Sequence, residues 1–344
     1  MKLEDLAKLA NVSKSAASLA LNNKPGISEK KRTQIINLAK EYNYVPMRKH
    51  KSKQTEPHRD RLKIRFVAPT NEDVISESYE QLPFFNELIS YLSTEISAKN
   101  YSLVTNKLAK ENLLENLINL EKLDPSDGII FLGTNLTSSH ISPLSEYFPK
   151  LVVLDTQSTS TNCNTVTMNN YLGAYEATNY LLKMGHQKIG YVEGTPRINN
   201  FYDRQRGFKD ALSRNQIDAS KSPKLHVPGM KIDTIEKNIP QFLSFINSVT
   251  AVFCENDYIA ISLNKTLNKY GISVPNDISI VGFDDISESR VTTPELTTVH
   301  VPILEIVQEA IQLIETEATT IVTAKKQIFL NTHLTLRESV KKIN

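Results

Sequence analysis

Apolar positions recur at helical spacing in three short bursts along the first 46 residues. Leu3, Leu6, Ala7, Leu9 and Ala10 share one face, and Asn11-Val12-Ser13 interrupts them: Asn11 tolerates a left-handed turn, and Ser13 can cap the next helix. The spacing predicts that second helix from Ser13 to Leu21. Ala16, Ala17 and Ala20 are small enough for close packing there, while Lys14, Ser15 and Ser18 face outward, and Asn22-Asn23-Lys24-Pro25-Gly26 stops the helix. A third is expected after Ser28, with Ile35, Ile36, Leu38 and Ala39 inside, ending near Tyr42-Asn43-Tyr44-Val45-Pro46. Two short helices across a tight turn, braced by a third, form a helix-turn-helix, whose second helix enters the DNA major groove. A small helical protein-interaction bundle would carry the same pattern.

Beyond residue 62 short β-rich runs alternate with helical segments. Strands are expected at Ile64–Ala68, Ser102–Thr105, Gly128–Leu132 and Leu151–Leu154, with helices at about 84–99, 111–121 and 138–147, which is a parallel α/β unit. After Asn162 a second unit is expected. Its strands lie near Thr165–Met168, Lys188–Val192, Leu225–Val227, Ala251–Cys254 and Ser279–Val281, and its helices near 173–184, 203–214, 234–248 and 257–270. Two successive α/β lobes suggest a bilobal body with a cleft, although periodicity alone also permits one large open sheet.

Composition narrows the class. With 344 residues, 40% hydrophobic and 23% charged, the chain suits a soluble globular protein of two or three domains. No apolar run reaches the roughly 18 residues of a membrane span, and Met1-Lys2-Leu3-Glu4-Asp5 does not resemble a signal peptide, so a cytoplasmic location and no membrane partner are expected. Cys163 and Cys254, without Cys-x-x-Cys partners, build neither a disulfide framework nor a zinc site and are expected to be reduced core residues. The net charge of +2 hides an asymmetry: residues 1–65 hold 16 Lys/Arg against 6 Asp/Glu, net +10, leaving the rest at net −8. A polyanion such as DNA attracts such a head and repels such a body.

The motif Leu3-Glu4-Asp5-Leu6-Ala7-x-x-Ala10-x-Val12-Ser13, with Ser18-x-x-Leu21-Asn22 and Asn43-Tyr44-x-Pro46, resembles the head of the lactose-repressor (galactose-repressor) family of bacterial transcription regulators. By that resemblance Lys14, Ser15 and, one turn on, Leu19 read base edges, with Ser18 and Asn22 on the same DNA-binding element. Many members carry arginine where Leu19 stands. Leucine offers only apolar contact, such as to a thymine methyl, so a different operator base pair is expected there. Members also continue into a hinge helix that wedges a leucine into the minor groove, whereas this chain reads Met47-Arg48-Lys49-His50-Lys51-Ser52-Lys53-Gln54. A solvated tether is expected instead, with Arg48, Lys49 and Lys51 touching phosphates.

The resemblance continues through Gly173-Ala174-x-x-Ala177, Gly185-His186-x-Lys188-Ile189-Gly190, Arg204-x-x-Gly207-Phe208, Asn256-Asp257, Pro275-x-Asp277-Ile278, Gly282-Phe283-Asp284-Asp285 and Thr293-Pro294-x-Leu296-Thr297-Thr298-Val299. It implies an N-terminal all-α helix-turn-helix head plus a periplasmic-binding-protein-like α/β body with two parallel-sheet lobes. The expected division is a head at 1–46, a basic linker at 47–61, lobe 1 at 62–158 and 293–322, and lobe 2 at 159–292 and 323–344. Crossings are expected near 157–162, 289–296 and 321–327, returning a helix at about 302–320 to the first lobe.

Ligands of α/β sheets bind beyond the carboxyl ends of strands, where this chain offers Thr70, Asn71, Asp155, Asn256 and Asp284, with Arg204 from a helix start. By resemblance Arg204, Asn256 and Asp284 contact the effector, and Phe84 and Phe85 match an aromatic pair on the first-lobe wall. Bidentate, charge-assisted hydrogen bonds suit vicinal hydroxyls, so the expected effector is a sugar or sugar phosphate. Each residue also has a plain structural role open to it: a cap, an ion pair or core.

No nucleophile elbow, phosphate loop, dinucleotide fingerprint or His-x-x-x-His pair occurs, and an enzyme, a cofactor and a metal are not expected. The expected function is a sugar-responsive regulator, a repressor of carbohydrate genes, acting as a homodimer on a palindromic double-stranded operator. Leu88, Leu92, Ile259 and Leu263 are candidate pairing residues that serve equally well as core. Alternatives are a relative controlled by a phosphorylated carrier protein and a carbohydrate transport protein.

Overall fold

The computed structural model describes residues 3–21, 26–42, 61–70, 74–134, 136–157, 162–235, 238–320 and 324–343, and the chain divides into two units, Met1–Arg59 and Asp60–Asn344. In the first unit α1 (Leu3–Leu9), α2 (Lys14–Leu21) and α3 (Glu29–Glu41) close on a small core of Leu6, Ala10, Ala20, Ile35 and Ala39. Asn11 has φ 50°, the left-handed turn expected between the first two helices, and the Ser13 hydroxyl accepts the Ala16 N–H at 3.1 Å, capping α2. Alanines at the buried positions of α2 let the helices approach closely. The linker expected at 47–61 lies outside the described residues except for Arg61.

Among the described residues the second unit holds two six-stranded sheets. The first has the order β11-β5-β4-β3-β1-β2, where β1 is Lys63–Thr70, β2 Ser102–Ala109, β3 Gly128–Leu132, β4 Leu151–Leu154, β5 Asn164–Met168 and β11 Gln327–Leu330. Every pairing in it is parallel. The second has the order β12-β10-β9-β8-β6-β7, built from β6 (Ile189–Thr195), β7 (Lys224–Pro228), β8 (Ala251–Cys254), β9 (Ser279–Asp284), β10 (Thr297–His300) and an antiparallel edge, β12 (His333–Thr335). Strands β3, β4, β8 and β9 are buried throughout, as the continuous apolar runs of a helix-covered parallel sheet require.

Helices α4 (Pro83–Ala98), α5 (Leu113–Leu123) and α6 (Ser138–Tyr147) belong to the first lobe, and α7 (Asn170–Lys183), α8 (Asn199–Arg214), α9 (Ile239–Asn247) and α10 (Asp257–Lys269) to the second. Helix α11 (Ile303–Thr319) packs on α4 and on β3, β4 and β5, so it returns to the first lobe as expected. Gly128 on β3 admits it closely: a Cβ there would lie 2.5 Å from Ile314.

Sheet membership moves the crossings. β5 aligns Val166 with Leu154 of the first sheet, and β10 aligns Val299 with Phe283 of the second. The chain therefore changes lobe at 168–170, 300–303 and 330–333, and the expected divisions at 158/159, 292/293 and 322/323 are corrected to these. Thr165–Met168 is the first lobe's strand and Thr297–His300 the second's, because backbone pairing, not local apolarity, decides which sheet a strand joins. The helix expected over 234–248 begins only at Ile239, with Pro240 in its first turn, where a missing N–H costs nothing. Among the described residues, no helix is long and apolar enough to cross a membrane.

Candidate effector cleft and DNA-reading helix

Where the carboxyl ends of the two sheets meet, twelve residues line a small cavity of about 30 Å³. Of the expected effector residues it gathers Phe84, Phe85, Asp155, Arg204, Asn256 and Asp284, and it adds Thr134, Ile198, Asn200, Phe201, Met230 and Tyr258. Two of the carboxylates sit on unusual backbone, Asp155 after β4 at φ 59° and Asp284 closing β9 at φ 115°. Non-glycine residues held there indicate a surrounding structure that over-determines them, a pattern that clusters at functional sites.

Arg204 projects from α8 with every nitrogen engaged. Its Nε donates to Asn170 Oδ1 at 2.8 Å, Nη1 to the Glu255 carbonyl at 2.5 Å, and Nη2 lies 3.1 Å from Asp284 Oδ1. The guanidinium also lies 3.7 Å over the Phe283 ring. Asp284 Oδ1 is buried and, although within ion-pair range of Arg204, receives no aligned hydrogen bond. Burial, helped by Asp155 and opposed by Arg204, pushes the Asp284 carboxyl up to about 7. Burial likewise raises Asp155, against hydrogen bonds from Thr134 and Asn200 and the charge of Arg204.

Hydrogen bonds from Phe84, Asn200 and Asn199 tie the lobes across the cleft. The Phe84 N–H in the first turn of α4 donates to the Tyr258 hydroxyl on α10 at 3.1 Å, and Asn200 Nδ2 donates to Asp155 Oδ1 at 2.7 Å. Asn199 Nδ2 reaches the Leu136 carbonyl and Thr156 Oγ1, each at 3.3 Å. Asn256 has a structural duty besides lining the cavity. Its Oδ1 caps α10 by accepting the Ile259 N–H at 2.9 Å, and its amide donates to the Gly229 carbonyl.

Beneath the cavity Asp257 accepts hydrogen bonds from Ser289, Thr298 and the Ile286 N–H, and burial with the nearby Asp284 charge raises it to about 8. Thr70 does not reach the cavity: it is buried, and its hydroxyl is turned to Glu77 and the Leu108 carbonyl. Asn71 lies outside the described residues. Leu88, Leu92, Ile259 and Leu263 are at most 2% exposed within their own chain, so the pairing role is corrected to core. Asn200 was detectable in principle, since it lies four residues before Arg204 on the same helix face. Tyr258 carried no such signal.

In the head, Lys14 and Ser15 are exposed at the start of α2, Ser18 and Leu19 are partly exposed along it, and Ala17 and Ala20 face the core. Asn22, Arg48, Lys49 and Lys51 lie outside the described residues. The Lys14 ammonium meets the Glu4 carboxylate of α1 at 2.5 Å.

Residues 2–47 match the model of the lacI family of bacterial regulatory proteins, and residues 178–340 that of the periplasmic binding protein-like domain. The chain is 31% identical to the probable HTH-type transcriptional repressor ExuR of Bacillus subtilis over 352 residues, covering 99% of this chain and 98% of that one. It is 28% identical to the repressor CytR of Escherichia coli, over 91% and 88% of the two chains. Solved structures share the fold. The CelR–cellobiose complex aligns with TM-score 0.69 at 20% identity over 98% and 99% of the two chains, and the lac repressor dimer bound to operator and anti-inducer with 0.69 at 19% over 99% of each. A lacI-family regulator from Enterococcus faecium with bound ribose aligns with 0.68 at 24%, over 82% and 100%. A three-helix head with a capped second helix, two parallel-sheet lobes joined by three crossings and full-length likeness to repressors lead to one assignment: this chain belongs to the lacI family of bacterial regulatory proteins.

Proposed function

We propose that the protein is a homodimeric repressor of carbohydrate genes whose grip on a palindromic operator is altered by a small sugar or sugar phosphate held between the lobes. The observation that carries this reading is the buried Arg204–Asp284 pair facing Asp155 where the two sheets end. An acceptor left without an aligned partner, Asp284 Oδ1, suits a ligand hydroxyl. Phe84, Phe85 and Phe201 supply the flat apolar faces on which a sugar ring stacks. The relatives named as repressors, and the solved relatives holding cellobiose, ribose or operator DNA, support it.

Ordinary small-molecule pockets hold about 300–1,000 Å³, so the cavity of about 30 Å³ admits no sugar until the lobes part. Effector binding therefore draws on an opening motion, and the difference between lobe arrangements is what two coupled heads would sense. A coupling of about 1–3 kcal/mol changes operator affinity roughly 5- to 150-fold. Two heads, each reading one half-site about 34–36 Å from the other, explain why a dimer is needed.

The test is operator binding by fluorescence anisotropy with a panel of sugars and sugar phosphates. One compound is expected to shift wild-type affinity within that range and to leave Arg204→Lys unresponsive on an unchanged operator. A variant that still responds at wild-type strength, or a panel with no active member, refutes the reading.

A further inference from the structure

Lys14 opens α2 and Glu4 sits in the first turn of α1, ten positions apart in sequence, yet their charged ends meet at 2.5 Å with both side chains about 60% exposed. A surface ion pair of this kind adds little to stability. The hydrogen bond from Lys14 and its charge hold the Glu4 carboxyl below the ordinary carboxylate range, so the pair is a donor beside an ionised acceptor at neutral pH. The Ser13 cap fixes where α2 starts and thereby where Lys14 stands.

We propose that Glu4 is a further specificity-determining residue of the DNA-reading face, beside Lys14, Ser15 and Leu19, and that Lys14 and Glu4 act as one donor–acceptor unit reading a single G·C base pair in each half-site. The inference rests on α2 entering the major groove. There a G·C pair presents two adjacent acceptors, guanine N7 and O6, followed by one donor, cytosine N4–H. The rotatable ammonium meets the two acceptors and the carboxylate meets the cytosine donor. Guanine O6 and cytosine N4 are themselves hydrogen-bonded at roughly 3 Å, close to the separation of the Lys14 and Glu4 charged atoms. An A·T pair places its donor between two acceptors, so a carboxylate at that donor meets a repelling oxygen or nitrogen on either side. Glutamate near the phosphates would otherwise only weaken binding, which gives the alternative a distinct signature.

The full chain is first used to select a symmetric site from random duplexes. Anisotropy at fixed salt then compares wild type, Glu4→Gln and Lys14→Gln on duplexes carrying each of the four base pairs at every half-site position. The expected result is one position per half-site where wild type prefers G·C and Glu4→Gln loses about tenfold of that preference, other positions being unchanged. If Glu4→Gln tightens all duplexes by a common factor, or the position favours A·T, the paired reading is overturned while α2 remains the reader. Failure of wild type to select any symmetric site overturns the DNA-reading assignment, and this inference with it.

Discussion

The hydroxyl of Tyr258 in the second lobe accepts the backbone N–H of Phe84 in the first, across the cleft that the candidate effector residues line. Helix α4 has no side-chain cap of its own, with Leu82 at the cap position, so the second lobe supplies a partner that the local sequence lacks. Closure of the lobes and pairing of the Phe84 N–H are one event.

Removing this link should loosen the lobes. A lost hydrogen bond costs about 1 kcal/mol, so Tyr258→Phe is expected to raise the open-to-closed ratio roughly fivefold, and Asn200→Ala to act in the same direction. Cys163 and Cys254 are buried, so paired spin labels can be placed on cysteines introduced at the exposed Leu123 and Lys221. Longer or broader distances in both variants are expected; distributions identical to wild type would contradict the link.

Arg204→Ala should harm stability as well as effector response. It leaves Asp284, Asn170 Oδ1 and the Glu255 carbonyl without their partner in a buried site, and breaking such a pair costs on the order of 3–5 kcal/mol. Thermal melting of the full chain checks this, with Arg204→Lys expected to lose less. A melt within a degree of wild type would show that the pair is dispensable.

Acidity should stabilise the body over an unusual window. Asp284 and Asp257 titrate at about 7 and about 8 when folded, above an unfolded carboxyl near 4. The folded state therefore holds protons that the unfolded state releases, and the stability contributed by these groups falls as pH rises from about 4 to 8. Melting temperature is expected to drop from pH 6 to pH 8, and Asp257→Asn to flatten the drop. A rise across that range, unchanged in the variant, would refute the assignment.

Gly207→Ala should separate α7 from α8. A Cβ at Gly207 would lie 2.2 Å from the Tyr171 carbonyl oxygen, and backbone cannot yield as a side chain tip does. A cost of at least 1–3 kcal/mol is expected in urea titrations of the full chain. Wild-type stability would mean that the two helices pack less tightly than described.

The parts of the fold that could be read in advance were those with a local cause. Gly128–Leu132 and Leu151–Leu154 read as strands because burial on both faces leaves an uninterrupted apolar run. Sheet membership had no local cause: Asn164–Met168 would suit either lobe until Val166 is paired with Leu154. The same division holds for the cleft. Asp155 and Asp284 are legible because one follows a strand and the other closes one, whereas Tyr258 reads as a core aromatic until the opposite lobe brings the Phe84 N–H to it. Leu88 and Ile259 illustrate the converse, apolar positions whose pattern does not say whether they face a sheet or a second chain.

The interleaving of the lobes sets an order of events during synthesis. Among the described residues the core shared by the three helices of the head lies within positions 6–39, whereas β11 and β12 complete both sheets only when residues 327–335 have left the ribosome. For most of its translation a nascent molecule thus carries a head with a core of its own, while neither lobe's sheet has yet received its last strand.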